Sequence, residues 1–204
     1  MIRVLLADDH EIVRDGLKRI LAATTDVRVA GEAASGDEAL ALVRANDYDV
    51  ALLDMSMPGL SGIDLIKRVR IEKPKLRILV LSMHGEQQYA ARALKAGAAG
   101  YLTKESAAEM LLGALRKVAA GGVHVSEAAA AGLVSAERAP HQNLSDREFE
   151  VLRLLAGGRS PTEIAEQLHL SVKTVSTHKA HVQEKLGLGG TADLVRYALE
   201  HKLI

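Results

Sequence analysis

The sequence has 204 residues, of which 48% are apolar and 25% charged, and its formal net charge at pH 7 is zero. This length and composition are typical of one large or two small folded domains. Cysteine is absent, which excludes disulfides and thiolate metal sites and is typical of a reducing compartment. The apolar runs are shorter than the roughly 18 residues that a membrane span needs. The N-terminus turns acidic after one short apolar run, unlike a signal peptide. We therefore expect a cytoplasmic protein with no membrane segment.

Positive and negative residues are also balanced within each half of the chain. The sequence is therefore not that of a strongly basic nucleic-acid-binding protein, and any DNA contact must depend on a local arrangement of side chains. Aromatic residues make up only 2%, which argues against a stacking platform for single-stranded nucleic acid.

The first 120 residues alternate short apolar runs with helix-length segments five times. The apolar runs are continuous and rich in Leu and β-branched residues, which is typical of strands buried on both faces. This alternation predicts an α/β domain with right-handed crossovers and a doubly wound parallel sheet between two helical layers. The predicted strands are 2–7, 27–32, 50–53, 77–81 and 99–103, and the predicted helices are 11–23, 36–45, 61–72, 86–96 and 106–120.

The remainder of the chain has no predicted strand. Residues 122–143 lack a core pattern and are predicted to form a linker with one short helix. From Leu144 onward the pattern is all-α, with four helices at 145–156, 160–168, 171–186 and 191–201. The predicted domains are therefore 1–121 and 144–204, joined by the linker 122–143.

Polar residues follow four of the five predicted strands. Asp8 and Asp9 end the first strand, Asp54 the third, Ser82 the fourth and Lys104 the fifth. Because the carboxyl ends of parallel strands share one edge of the sheet, we expect these side chains to converge there. Clustered carboxylates need a counter-charge at neutral pH, and Mg²⁺ or a similar hard cation such as Mn²⁺ prefers such oxygen ligands.

A carboxylate in this setting can also act as a nucleophile toward a phosphoryl group. Lys104 would then pair with a phosphate oxygen, and Ser82 could donate a hydrogen bond to it. Taken alone, each of these residues has an ordinary structural explanation as a cap, a core hydroxyl or a surface lysine. Their joint occurrence at the strand ends favours a phosphoryl-transfer site.

The third helix of the C-terminal segment carries short polar residues. Val172, Val175, Val182 and Leu186 form its predicted inner stripe, and a short turn joins it to the preceding helix, as in a helix-turn-helix. Hydroxyls, lysines and imidazoles suit a helix that lies in a DNA major groove, although they also suit a solvated helix face. The outer candidates are Lys173, Thr174, Ser176, Thr177, His178, Lys179 and His181.

The order of Asp8-Asp9, Asp54 in LLDMSMPGLSG, Ser82 and Lys104 resembles the receiver domain of two-component response regulators over about residues 1–120. The resemblance implies a flavodoxin-like (βα)5 fold in which Asp54 is phosphorylated. It implies that Asp9 binds Mg²⁺ directly, Asp8 mainly through water, and Ser56 through its backbone carbonyl. It also implies that Ser82 and Tyr101 form a switch pair, although Tyr101 equally suits the core. One departure is that Glu105, instead of the Pro found in many relatives, follows Lys104.

The string LSDREFEVLRLLAGG with SVKTVSTH resembles the LuxR-type helix-turn-helix of the NarL/FixJ family over residues 144–204. The resemblance makes residues 171–186 the recognition helix and 191–201 a dimerisation helix. Leu194, Val195 and Ala198 could form that dimer surface or belong to the core. The implied function is regulatory and not enzymatic. A histidine kinase or a small phosphodonor phosphorylates Asp54 with Mg²⁺, and the protein then forms a homodimer on double-stranded promoter DNA.

Two other functions are compatible with parts of the sequence. A Mg²⁺-dependent phosphatase with an aspartate nucleophile would need a proton-donating acid two residues later, where Ser56 stands. A DNA-binding regulator whose receiver serves only for dimerisation, and is never phosphorylated, has no need of the intact acidic cluster. Mg²⁺ affinity discriminates a phosphorylated receiver from the last of these functions, because a receiver that is never phosphorylated has no reason to keep the cation site.

Overall fold

The computed structural model describes two compact units, Met1–Ala130 and Ala131–Ile204. None of the helices in the described part of the chain combines the length and apolar character needed to cross a bilayer. The described residues are 1–57, 59–60, 62–82, 87–125 and 139–204.

The first unit contains a five-stranded sheet in which every neighbouring pair is parallel, in the order β2-β1-β3-β4-β5. This is the predicted flavodoxin-like arrangement, and the fold prediction is confirmed. The strands are β1 Ile2–Ala7, β2 Val27–Ala33, β3 Val50–Asp54, β4 Arg77–Ser82 and β5 Gly100–Thr103. The helices are α1 Glu11–Ala22, α2 Gly36–Ala45, α3 Gly62–Glu72, α4 Gln87–Lys95 and α5 Ala107–Ala119.

The central strands are buried on both faces, which explains their continuous apolar sequences. All five residues of β3 are buried. Alternate residues of β1, such as Val4 and Leu6, belong to one core cluster with Leu21 of α1 and Leu111 of α5. The rigid sheet therefore fixes the positions of the residues that follow each strand.

The second unit is helical, as predicted. A short 3-10 turn at Pro140–Asn143 precedes α6 Asp146–Ala156, α7 Pro161–Gln167, α8 Val172–Leu186 and α9 Thr191–Glu200. Ser145 and Ser160 begin α6 and α7 with complete capping boxes, and Ser171 caps α8 through the Thr174 N–H. Gly187 ends α8 in a left-handed conformation, with φ of +66°, which glycine adopts without strain. These signals define the helix boundaries locally.

Both described ends of the predicted linker 122–143 pack against their neighbouring unit. The His124 N–H donates to the Ala99 carbonyl at 2.9 Å, and the His124 carbonyl accepts from Tyr101 N–H at 3.0 Å, alongside β5. His141 is fully buried, and its Nδ1 lies 2.9 Å from the Tyr197 hydroxyl. The linker prediction was therefore too wide at both ends, because hydrogen bonding and burial hold these residues. The helix predicted within it, 126–137, lies outside the described residues.

Candidate functional site

Buried polar side chains meet at one edge of the parallel sheet. Asp8 follows β1, Asp54 ends β3, and Lys104 follows β5. The Lys104 ammonium lies 2.6 Å from Asp8 Oδ2 and 3.0 Å from Asp54 Oδ2, and its side chain is only 8% exposed. The sheet thus brings together three residues that are up to 96 positions apart in the sequence.

Asp9 and His10 complete the acidic side of this cluster. The His10 Nδ1 lies 2.8 Å from Asp9 Oδ1 and 3.3 Å from Asp8 Oδ1, and the His10 N–H donates to Asp8 Oδ1 at 2.9 Å. One donor atom from each of Asp8, Asp9, His10 and Asp54 lies within 4.8 Å of the others. His10 was not among the residues that the sequence predicted for the site; its position directly after Asp8-Asp9 was the available signal.

The environment places opposing influences on the two central charges. Burial raises the pKa of Asp54, attraction to Lys104 lowers it, and repulsion by Asp8 raises it again, so that the net direction is upward. Burial lowers the pKa of Lys104, but its contacts with Asp8 and Asp54 outweigh burial and raise it. One ammonium therefore compensates only part of the negative charge of the cluster.

The donor set fits a hard divalent cation. Asp54 Oδ1 is buried and has no hydrogen-bond partner among the described residues, and an orphaned carboxylate oxygen is costly unless a cation or water satisfies it. Asp8 and Asp9 add further carboxylate oxygens, the ligands that Mg²⁺ prefers. Ser56 is exposed between two buried methionines, Met55 and Met57; the role of its backbone carbonyl as a ligand stays a prediction.

The predicted switch residues stand on the two strands beyond β3. Ser82 is 3% exposed and directly follows Leu81, the cross-strand partner of Asp54. Ser82 itself pairs with Thr103 of β5. Its carbonyl accepts from the Lys104 N–H at 2.7 Å. Tyr101 is 5% exposed and pairs with Val80. Both residues lie on strands of the sheet whose carboxyl ends carry the cluster, and their switch role stays a prediction.

Helix α8 presents one continuous exposed stripe. Lys173, Ser176, Thr177 and Ala180 are all exposed and are spaced so that they share one helix face. The Ser176 and Thr177 hydroxyls donate to helix carbonyls at 2.9 and 3.0 Å, so that each hydroxyl oxygen can still accept a hydrogen bond. Sequence reasoning missed Ala180, because a small apolar residue carries no chemical signal of contact.

Three other predicted contact residues of α8, namely Thr174, His178 and Lys179, are half-buried, whereas His181 is exposed. Thr174 contacts the Ser171 cap at 2.8 Å. Burial lowers the pKa of His178. The Lys179 ammonium donates to the Thr191 hydroxyl at 2.7 Å. Val172, predicted to face inward, is instead 46% exposed, because it stands in the first turn of the helix.

Glu148 connects α6 to α8, a link that the sequence does not indicate, because Glu148 stands at the ordinary capping-box position three residues after Ser145. It is 4% exposed, accepts from the Ser145 N–H at 2.7 Å, and pairs with Lys185 at 2.7 Å and His181 at 3.5 Å. Burial raises the pKa of Glu148, but Lys185 and the Ser145 cap outweigh burial and lower it to about 2. Glu148 is thus a buried carboxylate whose charge is balanced by Lys185 and the Ser145 N–H, and it links α6 to the exposed helix α8.

The predicted dimer surface requires a correction. Leu194 and Ala198 are both 0% exposed and form part of the core of their own domain, so they cannot contact a second molecule. Val195 is half-buried, whereas Leu199 is 60% exposed on the outer side of α9. Ala192 is also exposed, so that the accessible apolar face of α9 consists of Ala192, Val195 and Leu199.

A phosphoacceptor-type acidic cluster on a five-stranded parallel sheet, followed by a helix-turn-helix unit, defines the response-regulator class. Residues 4–116 match the family "Response regulator receiver domain", and residues 142–198 match "Bacterial regulatory proteins, luxR family". The chain belongs to the response regulators of the NarL/FixJ family, with a receiver domain and a LuxR-type helix-turn-helix, as the sequence predicted.

Relatives and solved structures match over nearly the whole chain. The response regulator UvrY of Escherichia coli K12 is 36% identical over 100% of this chain and 96% of its own length. The oxygen regulatory protein NreC of Staphylococcus aureus is 39% identical over 99% of both chains. The structure of RcsB from Salmonella enterica serovar Typhimurium, bound to promoter rprA in the presence of phosphomimetic BeF3⁻, has a TM-score of 0.72 at 32% identity and covers 96% of this chain and 97% of that chain.

Proposed function

We propose that this protein regulates transcription through phosphorylation of Asp54, which controls dimerisation and binding to promoter DNA. The observation that carries the proposal is the buried cluster in which Lys104 contacts both Asp54 and Asp8, while Asp54 Oδ1 has no hydrogen-bond partner among the described residues. An oxygen without a hydrogen-bond partner keeps its lone pairs available for a bond to phosphorus, and the adjacent ammonium complements the negative charge of a phosphoryl group.

In the proposed reaction, an Asp54 carboxylate oxygen attacks the phosphorus atom of a phosphohistidine kinase or of a small acyl phosphate. The new bond joins carboxylate oxygen to phosphorus, and the bond from phosphorus to the donor nitrogen or oxygen breaks with its electron pair on the donor. Asp8, Asp9, Asp54 and the Ser56 carbonyl would hold a divalent cation, which supplies positive charge against the phosphoryl oxygens. Lys104 supplies a second positive charge from β5.

Phosphorylation changes the charge that Lys104 faces. Its ammonium contacts two carboxylates, and a phosphoryl group on Asp54 competes for it with additional oxygens. Because the Lys104 N–H is bonded to the Ser82 carbonyl, a shift of the lysine acts on the end of β4. We propose that Ser82 and Tyr101 respond to this change and bias an existing equilibrium between inactive and dimeric forms.

The DNA-binding surface that we propose is the exposed stripe of α8. Lys173 would contact phosphates, and the hydroxyl oxygens of Ser176 and Thr177 would accept from base-edge or water donors. Thr174, His178 and Lys179 are less accessible. They would contact DNA only at the edge of this surface, or would position the neighbouring residues that do. RcsB, bound to its promoter, supports DNA as the ligand. The face formed by Ala192, Val195 and Leu199 would form the dimer contact.

The test is the intact mass of the protein after incubation with acetyl phosphate and Mg²⁺. We expect one added phosphoryl group in the wild type and none in Asp54→Asn or without a divalent cation. Asp47→Asn is the matched control, since Asp47 is exposed and pairs with Lys73 outside the cluster. Electrophoretic mobility of promoter-library DNA with the phosphorylated protein then tests the second half of the proposal.

Absence of the adduct in the wild type, together with failure to bind a beryllofluoride analogue, would overturn phosphorylation at Asp54. If DNA binding and dimerisation persisted without an adduct, the protein would be a phosphorylation-independent regulator. An adduct that survives in Asp54→Asn would place the modification elsewhere.

A further inference from the structure

The turn that carries Lys104 is closed by two hydroxyl side chains. The Thr103 hydroxyl donates to Ser106 Oγ at 3.0 Å, the Ser106 hydroxyl donates to the Thr103 carbonyl at 3.1 Å, and the Ser106 N–H donates to Thr103 Oγ1 at 3.2 Å. Each hydroxyl uses its single proton once, so that all three bonds can exist together. We refer to these three hydrogen bonds as the 103–106 clip.

The clip joins two rigid elements. Thr103 is the last residue of β5, and Ser106 immediately precedes α5, where its carbonyl accepts from the Met110 N–H at 3.0 Å. Helix α5 is anchored in the core through Ala107 and Leu111. Only Lys104 and Glu105 lie between the two ends of the clip, so the clip limits how far their backbone can move.

The composition of the turn makes such a restraint necessary. Glu105 is exposed and, unlike proline, places no ring restriction on its own φ or on the residue before it. The Lys104 N–H is held by the Ser82 carbonyl at 2.7 Å, which fixes the start of the turn. The clip fixes its end.

We propose that Thr103 and Ser106 are positioning residues for the phosphoryl-binding lysine. This inference rests on the proposed function, because it assigns Lys104 a contact with the group on Asp54. A flexible lysine side chain loses conformational entropy when its ammonium is held at a site. A backbone that is already restrained limits the positions open to the free ammonium, so that less entropy is lost when the contact forms. The clip therefore favours the contact between Lys104 and a phosphoryl oxygen without touching any metal ligand.

The first measurement is the affinity of the full-length protein for BeF3⁻ at saturating Mg²⁺, with binding detected by ¹⁹F NMR. Ser106→Ala and Thr103→Val each remove two of the three hydrogen bonds of the clip, and we expect each variant to bind BeF3⁻ about five- to tenfold more weakly. Ser106→Thr and Thr103→Ser retain the hydroxyls and should remain within about twofold of the wild type. The Mg²⁺ affinity, measured separately by calorimetry, should be unchanged in all four variants, because a merely distorted site would lose both ligands.

The second measurement is NMR relaxation of the Lys104 ε-methylene group in the unphosphorylated protein, with ¹³C-labelled lysine. The two variants without a hydroxyl should show a more mobile Lys104, and the two conservative variants should not. Wild-type BeF3⁻ affinity in Ser106→Ala and Thr103→Val, or an equal loss of Mg²⁺ affinity, would overturn the positioning role. If the wild type binds Mg²⁺ but not BeF3⁻, phosphorylation of Asp54 is overturned; the Lys104 mobility then decides alone whether the clip holds the lysine.

Discussion

The contact between Glu148 and α8 provides a test of how the DNA-binding unit holds its exposed helix. Glu148→Gln removes the charge but keeps the capping box, since glutamine can also accept from the Ser145 N–H. The Glu148 pKa falls from 4.5 to about 2 in the folded protein, which corresponds to about 3 kcal/mol at 1.36 kcal/mol for each pKa unit. The Lys185 side chain is 41% exposed, so solvent screens part of this energy, and we expect Glu148→Gln to cost about 2 kcal/mol.

The stability contributed by Glu148 also has a defined pH range. Because the folded pKa lies below the unfolded one, the contribution is fully present above pH 4.5 and is lost as the pH falls toward about 2. The difference between the wild type and Glu148→Gln should therefore persist from neutral pH to about pH 5 and shrink at lower pH.

Hydrogen exchange of the full-length protein, resolved to peptides from 139–204, measures this stability without separating the domains. A loss of about 2 kcal/mol corresponds to roughly 30-fold faster exchange of the α6 and α8 amides through opening. Glu163→Gln is the matched control, because Glu163 occupies the same capping-box position in α7 but its side chain is 53% exposed. Equal exchange in the two glutamine variants would refute the assignment of Glu148 as a buried anchor.

Three further predictions follow from packing and exposure. Gly36→Ala should destabilise the receiver domain by about 1–3 kcal/mol in thermal unfolding, since a Cβ there would overlap the Leu60 carbonyl, whose carbon lies 2.6 Å from that position; unchanged stability would contradict this packing. Leu194→Ala should cost about 2–5 kcal/mol of stability, whereas Leu199→Ser should change stability by less than about 0.5 kcal/mol and weaken the dimer in sedimentation; the reverse pattern would exchange their roles. Lys173→Gln should reduce the salt dependence of DNA binding by about one ion, without a change of preferred sequence, and an unaltered salt slope would place this lysine away from phosphates.

Much of the fold could be predicted because its signals are local. The central strands β1, β3 and β4 are mostly buried apolar runs, and the alternation of five strands with amphipathic helices restricts the topology. The capping serines and Gly187 define the helix ends within a residue or so. The ends of the linker could not be predicted in this way, because His124 and His141 are held by contacts with residues distant in the sequence.

The site could be predicted only as far as strand order determines it. Asp8, Asp54 and Lys104 converge because each follows a strand of one parallel sheet, and this follows from the sequence pattern alone. Which face of a helix is exposed depends instead on tertiary packing. Leu194 and Leu199 are equally apolar in the sequence, yet one is buried and the other is 60% exposed; only the packed domain distinguishes them.

Asp54 in the receiver domain and Glu148 in the helical domain are both buried carboxylates, but their surroundings shift the two pKa values in opposite directions. Glu148 has enough donors to overcome the cost of burial, so its pKa is lowered and its charge stabilises the fold. The pKa of Asp54 is raised, because a single lysine shared with Asp8 does not compensate for burial and repulsion. A buried group that its own domain leaves under-compensated gains the most from added positive charge and from covalent modification. Asp54 shares one lysine with Asp8, and its Oδ1 has no hydrogen-bond partner among the described residues. An added cation or phosphoryl group would therefore change the receiver cluster more than it would change Glu148, whose charge is already balanced by several donors.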